Sequence, residues 1–139
     1  MQNEHWGYII KDSFGGYEGH LRLVKNMDET RIKWGYYSFK NVFRWHGNKI
    51  LALAEIERLK ELNKIAQIPN LTWELVYADV FSIPRVDDIY SRFEEVEHDI
   101  PFGKIGETRK TVKEIWNKYK VLFKEIEREW RAKKVGVAI

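Results

Sequence analysis

Apolar and polar residues alternate along the first forty positions with the period of a β-strand. Trp6, Tyr8 and Ile10 stand against Gly7, Ile9 and Lys11. Tyr17, Gly19, Leu21 and Leu23 stand against Glu18, His20 and Arg22, and Ile32, Trp34 and Tyr36 against Arg31, Lys33, Gly35 and Tyr37. Asp12-Ser13-Phe14-Gly15-Gly16 and Asn26-Met27-Asp28-Glu29 separate the three runs and carry the residue types that turns need. Residues 1–40 are therefore expected to form a three-stranded antiparallel meander with one apolar face. Its wet face would carry Glu18, His20, Arg22, Arg31, Lys33 and Tyr37. A fourth run, with Leu71, Trp73, Leu75 and Tyr77 against Thr72, Glu74, Val76 and Ala78, predicts one more strand over 71–81.

Elsewhere the spacing of apolar residues changes to three and four. Ala52, Ile56, Leu59, Leu62 and Ala66 make one helical stripe over 48–66, with Asn48 as N-cap. Glu55, Glu57, Arg58, Lys60, Glu61 and Lys64 fall on the wet side of that helix. Val86, Ile89, Tyr90, Phe93 and Val96 predict an acidic helix over 84–98, opened by Pro84. The longest stripe lies over 107–134: Val112, Trp116, Tyr119, Phe123, Ile126 and Trp130, widened by Ile115 and Leu122. A helix of that length is roughly 40 Å long at about 1.5 Å per residue, more than the about 30 Å width of a compact domain this size. Most of it is expected to pack on the sheet, leaving the distal end from Phe123 to Trp130 for a partner or for a second copy in a homodimer. The expected fold class is α+β: an antiparallel sheet of about four strands packed against three helices, the C-terminal one longest, in a single domain over 1–139.

Composition narrows the functional classes. Hydrophobic residues make up 44% and charged residues 32% of the 139, as in ordinary globular domains. The absence of cysteine excludes disulfides and thiolate metal sites. No apolar run approaches the about 20 residues that span a bilayer, and the amino end does not read as a signal peptide. The expectation is a soluble cytoplasmic protein with no membrane partner. Six Trp, seven Tyr and seven Phe are more rings than the core needs. The net charge of +3 is unevenly spread: residues 71–103 are acidic and residues 104–139 basic. Either the two segments neutralise each other within the fold, or the basic helix faces an anionic partner.

Catalytic and metal patterns are missing. His5, His20, His46 and His98 form no helical metal pair, and HExxH, P-loop, GxGxxG and GxSxG motifs are absent. Glu95 and His98 supply one Glu-x-x-His where a di-metal bundle needs two. Gly7-Tyr8-Ile9 and Tyr17-Glu18-Gly19 resemble the paired strand motifs of GIY-YIG nucleases. Arg22, however, follows inside a strand where that family has a helix, and the second motif is acidic at its centre. No cofactor or metal is expected.

One constellation remains. Basic and aromatic residues interleave through Lys40, Phe43, Arg44, Trp45, His46 and Lys49, beside Arg22, Arg31 and Lys33 on the wet sheet face. Cations for phosphates and rings for bases suit nucleic acid; Arg, Trp and Tyr equally dominate protein-binding hot spots. The same loop could simply plug the edge of the core. These residues, with Trp130, are the candidate partner-binding set. The expected function is a non-catalytic binding or regulatory protein that docks on a larger protein or nucleoprotein assembly, such as a nucleic-acid-handling machine, with a protein partner favoured over DNA or RNA. The first alternative is direct nucleic-acid binding through this basic-aromatic face. The second is a small metal-dependent nuclease using Glu18, His20 and Arg22.

Overall fold

The computed structural model describes residues 5–25, 32–85, 90–95, 100 and 102–134. The fold class is α+β. The four expected strands are present as β1 (Trp6–Asp12), β2 (Tyr17–Lys25), β3 (Ile32–Phe39) and β4 (Trp73–Asp79). A fifth, β5 (Tyr90–Glu95), pairs antiparallel with β3, and the sheet order is β4-β1-β2-β3-β5. The acidic helix expected over 84–98 is thus overturned where the chain is described. Tyr90, Ser91, Arg92 and Phe93 line up on Phe39, Ser38 and Tyr37 of β3, with an irregularity near Ser38. Without β5 that edge of β3 would present unpaired backbone groups, and pairing them outweighs a weak helical stripe. Two α-helices stand among the described residues, against three expected: α1 (Lys49–Ala66) and α2 (Ile105–Lys134).

Helix α1 begins as its sequence implies. The Asn48 side chain accepts from the Ile50 and Leu51 N–H groups. The helix ends where Gln67 turns left-handed and its N–H bonds Asn63 O, while the Asn63 amide brackets Ile68. Ala52, Ile56, Leu59, Leu62 and Ala66 are all buried. Ile56, Leu59, Leu62 and Ala66 meet Ile10, Leu21, Trp34, Tyr36 and Trp73 on one face of the sheet, and this is the core.

Helix α2 packs mainly on α1 rather than along the sheet, which corrects the expected packing. Lys118 reaches Glu61 at 2.9 Å, Trp116 lies by Arg58, and the Trp130 ring lies beside Gly47. From the Trp116 and Lys118 contacts to Trp130 the sequence advances along α2 while its partners fall back from Arg58 and Glu61 to Gly47, so the helices are antiparallel. Val112 and Ile115 reach the core edge, and Tyr119 is buried, its phenol pushed up to about 12 by burial and by the Glu61 carboxylate. Thirty residues give α2 about 45 Å against about 27 Å for α1. It overhangs α1 at both ends, yet the Trp130 expected to lie free is laid on the loop before α1.

Two side chains depart from the expected wet faces. Glu55 is buried because Arg58 grips it bidentately, at 2.6 and 3.2 Å. Glu18 is buried because β2 bulges: Tyr17 pairs with Phe39 and His20 with Tyr37, so Glu18 and Gly19 together oppose Ser38. A bulge breaks alternation. It turns Glu18 inward and leaves His20 and Arg22 on the outer face. Gly19 is required there, since a Cβ would sit 1.7 Å from Tyr37 O.

A buried carboxylate fastens the sheet. Asp12 Oδ1 accepts from the Phe14 and Gly16 N–H groups; Oδ2 accepts from Tyr36 OH at 2.7 Å and Ser38 OH at 2.6 Å. Tyr36 OH in turn accepts from Gly19 N–H and Trp73 Nε1. Burial and the Asp12 charge push the Tyr36 phenol well up, so it stays a donor at any ordinary pH. Tyr36→Phe is expected to cost about 1–3 kcal/mol, the penalty for stranding buried partners, and Asp12→Ala at least about 3 kcal/mol. Denaturant midpoints at constant m-value measure both.

Candidate partner-binding surface

Beyond the bulge, β2 no longer pairs closely with β1. Their register rests on Lys11↔Tyr17, and at Tyr8 both backbone groups bond to His46 instead, each at 2.8 Å. The N–H and C=O of one strand residue point to the same side, and β4 occupies the other side of β1. His46 therefore takes the place beside β1 that a continued β2 would fill. The buried Glu18 secures it, with Oε2 3.1 Å from His46 Nε2. Arg44 Nη1 lies 3.7 Å from Glu18 Oε1, which has no hydrogen-bond partner among the described residues. The loop between β3 and α1 is thus built into the sheet at one residue and free to present its neighbours.

Those neighbours are mostly rings. Helices cover one face of the sheet; on the other, among the described residues, rings touch in two short chains. His20 meets Phe39 at 5.3 Å, and Phe39 meets Phe43 at 5.4 Å. His5 meets Phe81 at 4.5 Å, and Phe81 meets Trp45 at 6.0 Å. All four contacts are edge-to-face, with interplanar angles from 69° to 87°. The Trp45 indole lies over Gly7, where a Cβ would come within 2.4 Å of Trp45 Cδ1, so glycine makes room for the ring. Phe43 remains 51% exposed and Phe81 68% exposed. A groove of about 120 Å³ runs from Trp45 and Val42 past Phe81 to Pro84 and Arg85.

The expected residues are partly gathered and partly scattered. Phe43 and Trp45 belong to the ring surface, and the Arg22 guanidinium lies 5.1 Å over Tyr37 on the same face. Lys33 and Lys40 are half-buried and engaged. Arg44 and His46 turn toward Glu18 and the helices; Lys49 is exposed in the first turn of α1, and Trp130 lies on Gly47. Arg31 lies outside the described residues. Sequence reasoning missed Phe81 by reading it as the end of a strand. The Asp79 carboxylate caps its N–H at 3.1 Å and starts a short 3₁₀ turn that lifts the ring out of the sheet. An Asp two residues ahead of an aromatic is the signal that could have shown this.

Glu18, His20 and Arg22 do not share a face, so the bulge separates the trio that the nuclease alternative requires. Among the described residues no group of three or more His, Asp or Glu side chains is placed to hold a metal ion, and no helix is long and apolar enough to cross a membrane. No protein-family model, curated protein or solved structure matches the chain.

His20 reports the local field. Its pKa is lowered by partial burial, then by Arg44, Arg22 and Arg58, against an opposing pull from Glu18. It is expected to titrate below the ordinary histidine range, and Arg44→Gln should raise it. The neutral ring is favoured in the folded state, so the unfolded chain takes up the proton first as pH falls. Folding stability should therefore decline as pH drops through the ordinary histidine range, and less so in Arg44→Gln. NMR titration of the His20 ring, with denaturation at several pH values, checks both.

Proposed function

We propose that this is a non-catalytic, cytoplasmic binding protein that docks on a protein component of a larger assembly, using the ring surface opposite its helices. The observation that carries this reading is the exposure of Phe43, Trp45 and Phe81, with Trp45 and Phe81 in ring contact, on a loop and turn anchored to the sheet. Large rings held in fixed positions, flanked by Arg22 and Arg85, have the composition of protein-binding hot spots. Anchoring removes much of the ordering cost that a flexible loop would incur on binding.

Two features favour a protein over a nucleic acid. The rings lean edge-to-face, whereas single strands need ring faces laid open for successive bases. The nearby cations are partly committed too: Arg44 to Glu18, with Lys33 and Lys40 engaged. A homodimer through the end of α2 has less support, because Trp130 is laid on Gly47 of the same chain.

Phe43→Ala and Phe81→Ala truncate exposed rings and should leave stability within about 0.5 kcal/mol. Each is expected to weaken capture of the partner from a cytoplasmic extract by roughly 30-fold, corresponding to the about 2 kcal/mol of a hot-spot ring. Anisotropy of labelled single- and double-stranded oligonucleotides at low salt is the companion measurement. Salt-sensitive binding abolished by the same substitutions would overturn the protein reading in favour of nucleic acid.

A further inference from the structure

On the helix side, a separate cleft opens between the loop, α1 and α2. It holds about 240 Å³ and is bounded by Arg44, His46, Arg58, Leu51, Trp116 and Phe123. Leu51, Trp116 and Phe123 form an apolar side with one large flat ring. Arg44, His46 and Arg58 form the polar side. Glu55 holds Arg58 and the Glu18 behind His46 faces Arg44, so these two pairs balance, and Glu127 at the rim leaves the formal charge slightly negative.

Hydrogen-bonding capacity is not balanced. A guanidinium is all donor, and Arg58 spends only its Nε and Nη2 on Glu55. Arg44 makes no hydrogen bond among the described residues; its 3.7 Å approach to Glu18 is a charge contact, and its side chain is 61% exposed. Nε2 of His46 is taken by Glu18, leaving the other ring nitrogen. Of the carboxylates behind these groups, Glu55 and Glu18 Oε2 have hydrogen-bond partners, while Glu18 Oε1 has only the 3.7 Å charge contact with Arg44. Glu55 is held bidentately, and His46 keeps its hold on Glu18 if Arg44 moves. The cleft therefore offers unspent N–H groups beside a flat apolar wall. Its free acceptors, chiefly Glu18 Oε1 behind Arg44 and the exposed Glu127 carboxylate, are fewer than the unspent guanidinium N–H groups, and guanidinium forks match a carboxylate.

We propose that this cleft binds a small molecule consisting of one planar ring and one carboxylate. The ring lies along Trp116 with Leu51 and Phe123 beside it, and the carboxylate meets Arg58 and Arg44. The volume equals about eight waters at about 30 Å³ each, room for a single ring and its carboxylate. Arg58 is already poised: its guanidinium sits 5.6 Å from the Trp116 ring centre, so the donors and the flat wall adjoin. This site is distinct from the ring surface above and does not depend on the docking function. Glu127, exposed on the same cleft, is the opposing charge and gives the proposal a sign test.

The test is an NMR titration of the full chain with benzoate, with benzyl alcohol and benzylamine as neutral and cationic counterparts, at constant ionic strength. The expected result is saturable benzoate binding at about 1 mM or tighter, with shifts at the Trp116 indole and Arg58 side-chain N–H signals, and weaker binding of both counterparts. Arg44→Gln should weaken benzoate at least fivefold, and Glu127→Gln should tighten it. Neither substitution removes a packed group. Glu55→Gln with Arg58→Gln removes the buried pair together and should abolish binding while the chain stays folded. The proposal is overturned if benzoate fails to saturate, if benzylamine binds better, if the shifts map elsewhere, or if Arg44→Gln and Glu127→Gln leave the affinity unchanged.

Discussion

The buried carboxylate of Asp12 is the point on which the sheet depends. It caps the turn between β1 and β2 through backbone N–H groups, and it draws in Tyr36 and Ser38 from β3. Tyr36 passes the connection to Gly19 of β2 and to Trp73 of β4. One anion thus reaches four strands. Isolating such a charge in the core would be costly, and its charge-assisted hydrogen bonds offset that cost. The network is directional as well as stabilising. Gly19 must present its N–H to Tyr36, and that requirement fits the bulge that turns Glu18 inward.

From the bulge the rest of the loop architecture follows. A regular β2 would have continued beside β1 and left no place for His46. Because β2 departs after Tyr17, Tyr8 has two backbone groups to satisfy, and the loop satisfies them. Glu18, displaced by the same bulge, meets the incoming His46 ring. Trp45 then falls on Gly7, and Asn48 starts α1 within two residues of the bridge.

Alternation and helical spacing made much of this legible. The four expected strands, the α1 stripe and its Asn48 cap rest on local patterns, and each residue's neighbours in sequence decide them. Most of the misses come from contacts between distant residues. Asp12 reads as an ordinary turn residue, because nothing nearby announces that Tyr36 and Ser38 will arrive 24 and 26 positions later. Glu18 reads as solvent-facing because alternation cannot register one extra residue. Tyr90 and Phe93 fit a helical stripe as well as a strand, and only the open edge of β3 decides between them. Glu55 looks wet until α2 lies across α1 and Arg58 turns to hold it. In the candidate site, composition picked out the loop but could not sort its residues. Phe43 and His46 are three positions apart, one exposed and one serving as a sheet residue.

That division of labour within a short loop is what lets it act as a rigid display. A loop that only covered the core would bury its rings; a loop that only displayed them would be mobile and lose entropy on binding. Here the backbone is fixed at His46 by Tyr8 and Glu18 and at Asn48 by the helix start, while Phe43 and Trp45 lie before those anchors. Phe81 reaches the same face from an independently capped turn. The two ring chains are therefore positioned by the sheet rather than by each other. Arg44 sits between the anchored and displayed parts, with its charge turned toward Glu18 and the helix-side cleft. The same buried glutamate that secures the display thus also sets where the loop's most exposed cation can reach.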